Sequence, residues 1–413
     1  MLEPLVIVRA VHFAACLTAL GTAGFAMLAA GVGQAFERRL KWLAAAALAV
    51  ALISGALWFG LVARRIVDVP LGALLWDDSL ASVATDTRFG RVALLRLALA
   101  TVAGAALLLS RWRRPAVAAS AALTASIAWA GHAGAGTGSL GAILIVSDVV
   151  HLVAAGLWLG GLPALAYVLL HGRRDPARAE VATRATLRFS TLAVASVAAL
   201  AASGLTNSAI LLGWPGELLA SSYGRVLALK VALFASMLIL ATVNRYRLTP
   251  RLPGPRAIRR LTATTLAETG LGAGVVLLVG VLGTLPPASH LHMHQAGSNP
   301  DAAFVHIHTA EVMADLSIAP GQTGPSAATI KLWHEDYSPF PAERVQLALD
   351  PTFSGAAGFR REARQLADGT WVIEGLRIQS SGVWTARVII DSKGRSSVLD
   401  APIVITQCSN DCR

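Results

Sequence analysis

The chain has 413 residues, of which 55% are hydrophobic and 14% are charged, and its mean hydropathy is +0.59. Soluble globular proteins carry about 25% charged residues, so this composition excludes an ordinary soluble protein and predicts an integral membrane protein. The net charge of +11 would suit nucleic acid or acidic lipid. The basic residues lie in short loops between apolar stretches, which favours the bilayer and excludes nucleic acid as a partner.

Eight apolar stretches fill the first 285 residues. An α-helix rises 1.5 Å per residue, so about 20 residues cross about 30 Å of hydrocarbon. These stretches therefore predict an all-α polytopic membrane bundle over residues 1–287. The predicted spans lie at roughly 6–33, 39–64, 91–111, 115–132, 140–170, 188–213, 224–246 and 259–285.

Charge in the loops predicts the orientation of the bundle. Basic residues concentrate near 37–41, 111–114, 171–188 and 245–260, whereas the alternate loops are acidic or uncharged. Basic loops stay on the cytoplasmic side of a membrane. The first span is not a cleaved signal peptide, because its apolar run is about twice the usual length and its basic residues follow it. We therefore expect eight spans in a bacterial inner membrane, with both termini periplasmic.

Residues after about 300 alternate apolar and polar side chains and carry frequent turn residues. A linker at 288–302 and a periplasmic β-domain at 303–413 are predicted. About seven short strands in roughly 105 residues indicate an immunoglobulin-like sandwich, with Trp371 and Trp384 in its core. The predicted strands lie at 304–318, 328–333, 345–349, 358–366, 370–373, 383–390 and 397–405.

Histidines at similar outer depths suggest a metal site at the mouth of the bundle. His12 and Cys16 are four residues apart and share a helix face, and imidazole and thiol together suit Cu(I). Ordinary apolar packing is the alternative for Cys16. His132 ends the fourth span and His151 lies within the fifth. Asp148, three residues before His151, is predicted to orient its imidazole, the alternative being a buried pair that locks two helices together.

A second group of candidate ligands lies outside the spans. Three imidazoles and a thioether occur within five residues of the linker, where the thioether favours Cu(I) and the histidines also suit Cu(II) or zinc. Adventitious metal binding by a histidine-rich tract is the alternative. The candidates of this group are His290, His292, Met293, His294, His306, His308 and, with less support, His334.

Two further features allow more than one interpretation. Glu268 lies about nine residues from the cytoplasmic end of the last span, where it is expected either to relay a proton or ion or to pair with a neighbouring helix. Cys408 and Cys412, near the end of the chain, are compatible with a disulfide, with a metal site, or with neither.

The membrane part resembles a known family. The motifs are GHA at 131–133, DVVHLVAAGLWLGGL at 148–162, SYGR at 222–225, LK at 229–230, NRY at 244–246 with Pro250, and Glu268 ahead of Pro286-Pro287. Together they resemble the CopD family of bacterial copper-resistance and copper-uptake membrane proteins. This resemblance implies copper handling at the periplasmic side, with movement inward. The C-terminal domain is similar to periplasmic domains of the FixH/YtkA type, and a CopC-type copper-binding protein is an implied partner.

The sequence therefore predicts a copper transport or copper homeostasis protein, with copper ion and the bilayer as its partners and without catalytic residues. Two alternatives stay open at this point. Paired intramembrane histidines also ligate haem, as in b-type electron-transfer proteins. A factor that delivers copper to cuproenzymes without transporting it is the other. The chain has no phosphate-binding loop for nucleotide-driven pumping, so any transport is facilitated or coupled to an ion gradient.

Overall fold

The fold is described from a computed structural model of the full chain. Its contacts divide the chain into two units, Met1–Ser289 and His290–Arg413, which are described one after the other. The residues that the structure describes are 4–29, 34–67, 79–86, 88–109, 113–130, 138–173, 175–211, 222–283, 302–308, 312–333, 339–351, 358–392 and 395–407.

The first unit is helical throughout its described residues. The described residues also include three short 3-10 segments, Ser126–Ala130, Leu159–Gly161 and Thr249–Arg251, and one π-helical turn, Asn244–Leu248. The α-helices are α1 Pro4–Leu28, α2 Gln34–Val67, α3 Ser79–Asp86, α4 Arg88–Leu109, α5 Arg113–Ala125, α6 Gly138–Trp158, α7 Leu162–Gly172, α8 Pro176–Leu211, α9 Ser222–Val243 and α10 Pro255–Leu282.

Seven helical stretches within the described residues are long and apolar enough to cross a membrane, which confirms the polytopic bundle. They correspond to seven of the eight predicted spans. The fourth predicted span, 115–132, is instead the 13-residue helix α5 followed by the five-residue 3-10 segment. A 3-10 helix rises about 2.0 Å per residue, so the two segments together extend about 30 Å. This stretch is short as an α-helix but long enough to reach across the hydrocarbon.

Helix α1 lies at the centre of the bundle. In its most apolar 18 residues, 67% are buried, whereas the corresponding share in the other six spans is 6–33%. It packs against α2, α5, α6 and α10. A polar side chain on α1 therefore faces protein and not lipid, and it has to find its partners inside the bundle.

A glycine-mediated crossing holds α1 against the segment after α6. A Cβ atom on Gly160 would lie 1.8 Å from the carbonyl oxygen of Leu17, and one on Gly21 would lie 2.0 Å from the carbonyl carbon of Gly160. The two backbones can approach this closely only because neither residue has a side chain. Trp158, 2% exposed, packs edge-on against Phe234 beside the crossing. The Trp-Leu-Gly-Gly motif thus shapes the helix packing directly below Cys16.

The second unit contains two antiparallel sheets around one apolar core, as the sequence predicted. One sheet has the order β1-β2-β3-β7-β6 and the other has the order β5-β4-β8-β9. Trp371 and Trp384 belong to the core, at 5% and 2% exposure. The strands are β1 Ala303–His308, β2 Met313–Ala319, β3 Gly324–Trp333, β4 Arg344–Pro351, β5 Phe359–Glu362, β6 Arg364–Gln365, β7 Trp371–Ile378, β8 Gly382–Ser392 and β9 Arg395–Ile405.

One predicted strand is wrong in its extent. The alternation over 304–318 suggested a single strand, but the structure has two, β1 and β2, paired antiparallel with His308 opposite Met313. Apolar alternation continues on both sides of the reversal, so periodicity alone did not reveal the turn. The hairpin places His306 directly opposite Asp315.

Candidate functional site

His12 lies inside the bundle on α1, at 2% exposure. Its Nδ1 atom is 3.0 Å from the carbonyl oxygen of Ala51 and 3.2 Å from Oγ of Ser54, both on α2. A carbonyl oxygen only accepts hydrogen bonds, so Nδ1 carries the proton and Nε2 keeps its lone pair. That Nε2 atom is 3.7 Å from Sγ of Cys16, which is fully buried. Two donor atoms of the kind that Cu(I) prefers therefore face each other inside the membrane domain.

Two arginines and a tryptophan surround this pair. The guanidinium carbons of Arg9 and Arg96 lie 5.4 and 4.9 Å from the ring centroid of Trp58, and the His12 ring contacts the same indole edge-on at 5.6 Å. Arg96 and His12 also line a small cavity between α1, α2 and α4. We call Arg9, His12, Cys16, Trp58 and Arg96 the His12 cluster.

His151 lies on α6 and is half-buried. Its Nδ1 atom is 3.0 Å from Oγ of Ser203 on α8, and this hydroxyl donates its own hydrogen to the carbonyl oxygen of Ala199 at 2.6 Å. Nδ1 of His151 is therefore the donor to Ser203, and Nε2 again keeps its lone pair. Ser147 donates to the carbonyl oxygen of Ser203 at 3.1 Å, which ties α6 to α8 a second time.

The carboxylate of Asp148 has a different partner from the one expected. Asn207 on α8 donates to Oδ1 of Asp148 at 2.6 Å, and Lys230 on α9 attracts the same carboxylate electrostatically. The predicted orienting contact between Asp148 and His151 is therefore replaced by Ser203 among the described contacts. Ser203 and Asn207 are four residues apart, a spacing that places both on one face of α8 and that can be read from the sequence. We call Ser147, Asp148, His151, Ser203, Asn207 and Lys230 the His151 cluster.

Among the described residues, the predicted ligands do not lie together in one site. The ring of His12 is bonded to α2 and the ring of His151 to α8. Within the described ranges, no three His, Cys, Asp or Glu side chains are grouped so that they could hold a metal ion. The other predicted ligands lie outside the described residues: His132, His290, His292, Met293, His294 and His334, together with Cys408, Cys412 and the side chain of His308.

Glu268 on α10 is 2% exposed and accepts a hydrogen bond from Nδ2 of Asn244 at 2.8 Å. Thr264 donates to Oδ1 of the same asparagine at 2.6 Å. Asn244 begins the π-helical turn after α9, so these bonds join α9 and α10. The contacts support the helix-pairing interpretation of Glu268, and a relay role for it stays a prediction.

In the β-domain, Nδ1 of His306 lies 2.5 Å from Oδ1 of Asp315, across the β1–β2 pair. Nε1 of Trp333 donates to the other oxygen of Asp315 at 3.3 Å. His306 is thus held by a carboxylate, the partner that often fixes the ring of a metal-binding histidine. No sequence pattern pointed to Asp315, because its contact with His306 arises only from the register of the β1–β2 pair.

Comparison with known proteins assigns the membrane domain. Residues 1–142 match the family described as copper resistance protein D-like, N-terminal domain, and residues 183–282 match the one described as copper resistance protein D. The chain belongs to the copper resistance protein D family. His12, Cys16 and Arg96 lie in the first matched segment and Glu268 in the second, whereas His151 lies between the two. The family matches end at residue 282, so the FixH/YtkA likeness of the β-domain stays a prediction.

Three bacterial relatives show how far the similarity extends. The chain is 29% identical to inner membrane protein YebZ of Escherichia coli (strain K12), over 68% of this chain and 97% of that protein. It is 26% identical to copper transport protein CutJ of Bacillus subtilis (strain 168), over 59% of this chain and 43% of the relative. It is 31% identical to copper resistance protein D of Pseudomonas syringae pv. tomato, over 40% of this chain and 56% of the relative. The chain thus spans about half of each copper-named relative. No solved structure matches the chain.

These findings establish a multi-pass inner membrane protein of a copper resistance and transport family. The haem and copper-delivery alternatives gain no support from the relatives. Transport direction, orientation of the termini and the copper ligands are not given by family membership. These three properties have to be inferred from the residues of this chain.

Proposed function

We propose that this protein binds Cu(I) at the His12 cluster from the periplasmic side and passes it inward across the membrane. The observation that carries the proposal is the buried pair of Nε2 of His12 and Sγ of Cys16, 3.7 Å apart. Ionisable side chains inside membranes are costly and are kept mainly for function. A buried imidazole with a free lone pair beside a buried thiol is the donor set suited to Cu(I).

The spacing of this pair fits a shared metal ion. Metal–nitrogen bonds of about 2.0–2.1 Å and metal–sulfur bonds of about 2.3 Å, as found for zinc, place two donors on one ion up to about 4.3 Å apart. The observed 3.7 Å corresponds to a bent arrangement within that limit. Binding requires the thiol to release its proton, because the thiolate is the ligand. Ser54 and Ala51 hold the imidazole in the tautomer that this geometry needs.

The proposed inward direction is supported by the orientation that the loop charges predict for the helices. The loop charges put the start of α1 outside, so His12 lies about 12 Å below its first residue, in the outer part of the membrane. His132 and His151 are proposed as further ligands at the same mouth. The linker ligands His290, His292, Met293 and His294 follow the end of α10, for which the same loop charges predict a periplasmic position. They are proposed to capture copper, either free or from a CopC-type protein, and His306 and His308 to extend that capture surface.

Copper uptake into proteoliposomes tests the proposal. We expect Cys16→Ser, which keeps the size of the side chain but removes the soft donor, to lower the uptake rate at limiting Cu(I) by about 100-fold or more. Changes to groups that only position a metal ligand already cost about 10–100-fold in affinity, and loss of a ligand costs more. His12→Ala should have a similar effect.

His171→Ala is the matched control. His171 is also a histidine of the membrane domain, but its Nδ1 bonds to the carbonyl oxygen of Tyr167, one turn earlier on α7, where the loop charges place the cytoplasm. This variant should import copper at the wild-type rate. Folded Cys16→Ser and His12→Ala proteins that import copper like the wild type would remove the His12 cluster from the path.

A further inference from the structure

The His12 cluster contains two buried positive charges, and no carboxylate of the described residues forms an ion pair with either of them. Arg9 and Arg96 are 9% and 4% exposed. Arg9 donates to the carbonyl oxygen of Gly283 at 2.8 Å, and Arg96 donates to that of Ser126 at 3.3 Å. Both Nε atoms are buried without a hydrogen-bond partner, and no ion pair among the described residues includes either arginine. Each guanidinium is therefore only partly satisfied.

This arrangement is unfavourable as it stands. An arginine stays protonated inside a protein, and a buried charge requires a partner of opposite sign or a full set of hydrogen bonds. The two guanidiniums also repel each other, since both lie against the same Trp58 ring. The face of an indole attracts a cation, but it does not supply a negative charge. The cluster therefore lacks a negative charge that would balance the two guanidiniums.

The space available restricts the size of that anion. The cavity beside Arg96 is lined by His12 and by the aromatic rings of Trp58, Phe59 and Phe89. It holds about one water-sized body. A phosphate group or a lipid head group is too large for it, whereas a monatomic anion such as chloride is only slightly larger than a water molecule and needs only small movements of the lining side chains. The apolar walls favour a weakly hydrated ion over a strongly hydrated one.

We propose that this cavity is a halide site, occupied by chloride, in which Arg96 is the main ligand. The anion would offset the two guanidinium charges. Where the proposed function also holds, it would lower the electrostatic barrier to Cu(I) at the neighbouring His12–Cys16 pair. The halide site itself does not depend on copper, so it can be tested on the metal-free protein.

Line broadening in ³⁵Cl NMR of the purified, metal-free, full-length protein in detergent measures the binding. We expect saturable broadening in the wild type, displaced by bromide. Arg96→Gln should weaken the chloride affinity at least 10-fold. Arg91→Gln is the matched control, because Arg91 lies on the same helix but is exposed, and it should bind chloride like the wild type.

A second variant tests the site in case Arg96→Gln does not fold. Ala93→Leu fills the cavity that Ala93 lines and leaves both arginines in place, so it should abolish the saturable broadening as well. Absence of saturable broadening in the wild type, or equal affinity in the wild type and Ala93→Leu, would overturn the halide site. Copper uptake with chloride replaced by gluconate is measured separately. Chloride binding without any copper uptake would leave the halide site standing and refute only the proposed function.

Discussion

The His12 cluster and the His151 cluster each hold a histidine inside the membrane domain, but they differ in how their charges are balanced. In both, a neighbouring helix holds Nδ1 of an intramembrane histidine and leaves the lone pair of Nε2. In the His151 cluster the charges balance, because Asp148 is bonded to Asn207 and attracted to Lys230. In the His12 cluster, two guanidiniums and a thiol surround the imidazole, and no carboxylate accompanies them among the described ion pairs.

This difference indicates separate roles. The His151 cluster balances its charges without a ligand, although Oδ1 of Asn207 has no hydrogen-bond partner among the described residues. Such a network serves to fix helices and to hold a histidine in one orientation. An unbalanced cluster with soft donors is satisfied only when something binds. We therefore propose that ligand binding occurs mainly at His12 and Cys16, and that the His151 cluster is a second, preorganised binding position. The sequence had suggested a more equal division, because histidine depth alone does not reveal the surrounding charges.

The largest effect is expected from the crossing that fixes α1, and with it the His12 cluster, against the segment that follows His151 on α6. Gly160→Ala would place a Cβ 1.8 Å from the backbone oxygen of Leu17. Overpacking in a core costs about 1–3 kcal/mol, and more where backbone has to move, so we expect at least about 3 kcal/mol here. The thermal midpoint in detergent should fall sharply, and both clusters should lose function together.

Gly104→Ala is the control for this change. A Cβ at Gly104 on α4 meets nothing within 4 Å, so this variant should be unchanged or slightly more stable, since alanine favours helices. Equal thermal midpoints for Gly160→Ala and Gly104→Ala would show that the close crossing is not present in the folded protein.

The crossing between α1 and the Gly160 segment also shows which structural features can be predicted from the sequence and which cannot. Hydropathy predicted the membrane spans well, because a run of about 20 apolar residues is typical of a transmembrane helix. It did not predict which way His12 or His151 points. A helix that is apolar on every side has no distinct face, so periodicity carries no orientation signal. Their partners, Ser54 and Ser203, are small hydroxyls that also bond to their own helix, and such residues look neutral in a hydropathy profile.

Charge removal should give opposite results in the two clusters, and this is the second-largest effect. Lys230→Met removes the cation that attracts Asp148 and leaves this carboxylate with its hydrogen bond from Asn207. Breaking a fully buried pair costs about 3–5 kcal/mol, and for these half-buried groups we expect about 1–2 kcal/mol. Arg96→Met removes an uncompensated cation, so stability in chloride-free buffer should stay equal or rise.

Thermal unfolding of the two variants in gluconate and in chloride measures this contrast. Chloride should stabilise the wild type and Lys230→Met, because a ligand that binds only the folded state raises its stability. It should leave Arg96→Met unchanged. If Arg96→Met is destabilised as strongly as Lys230→Met in both buffers, the two clusters have the same charge balance and the distinction between them fails.

The smallest effect is expected outside the membrane. We expect simultaneous replacement of His290, His292 and His294 by Ala to lower copper uptake a fewfold at limiting copper and to leave it unchanged at saturating copper. Ligands on a segment beyond the last span raise the local copper concentration, as linked binding sites do, but they do not lie on the path through the bundle. Uptake measured over a range of copper concentrations should therefore show a raised half-saturation concentration and an unchanged maximum. Cys16→Ser, by contrast, should still reduce uptake at saturating copper, because it removes a ligand on the path. A triple variant that lost its maximal rate would place the essential soft donors in the linker and not in the His12 cluster.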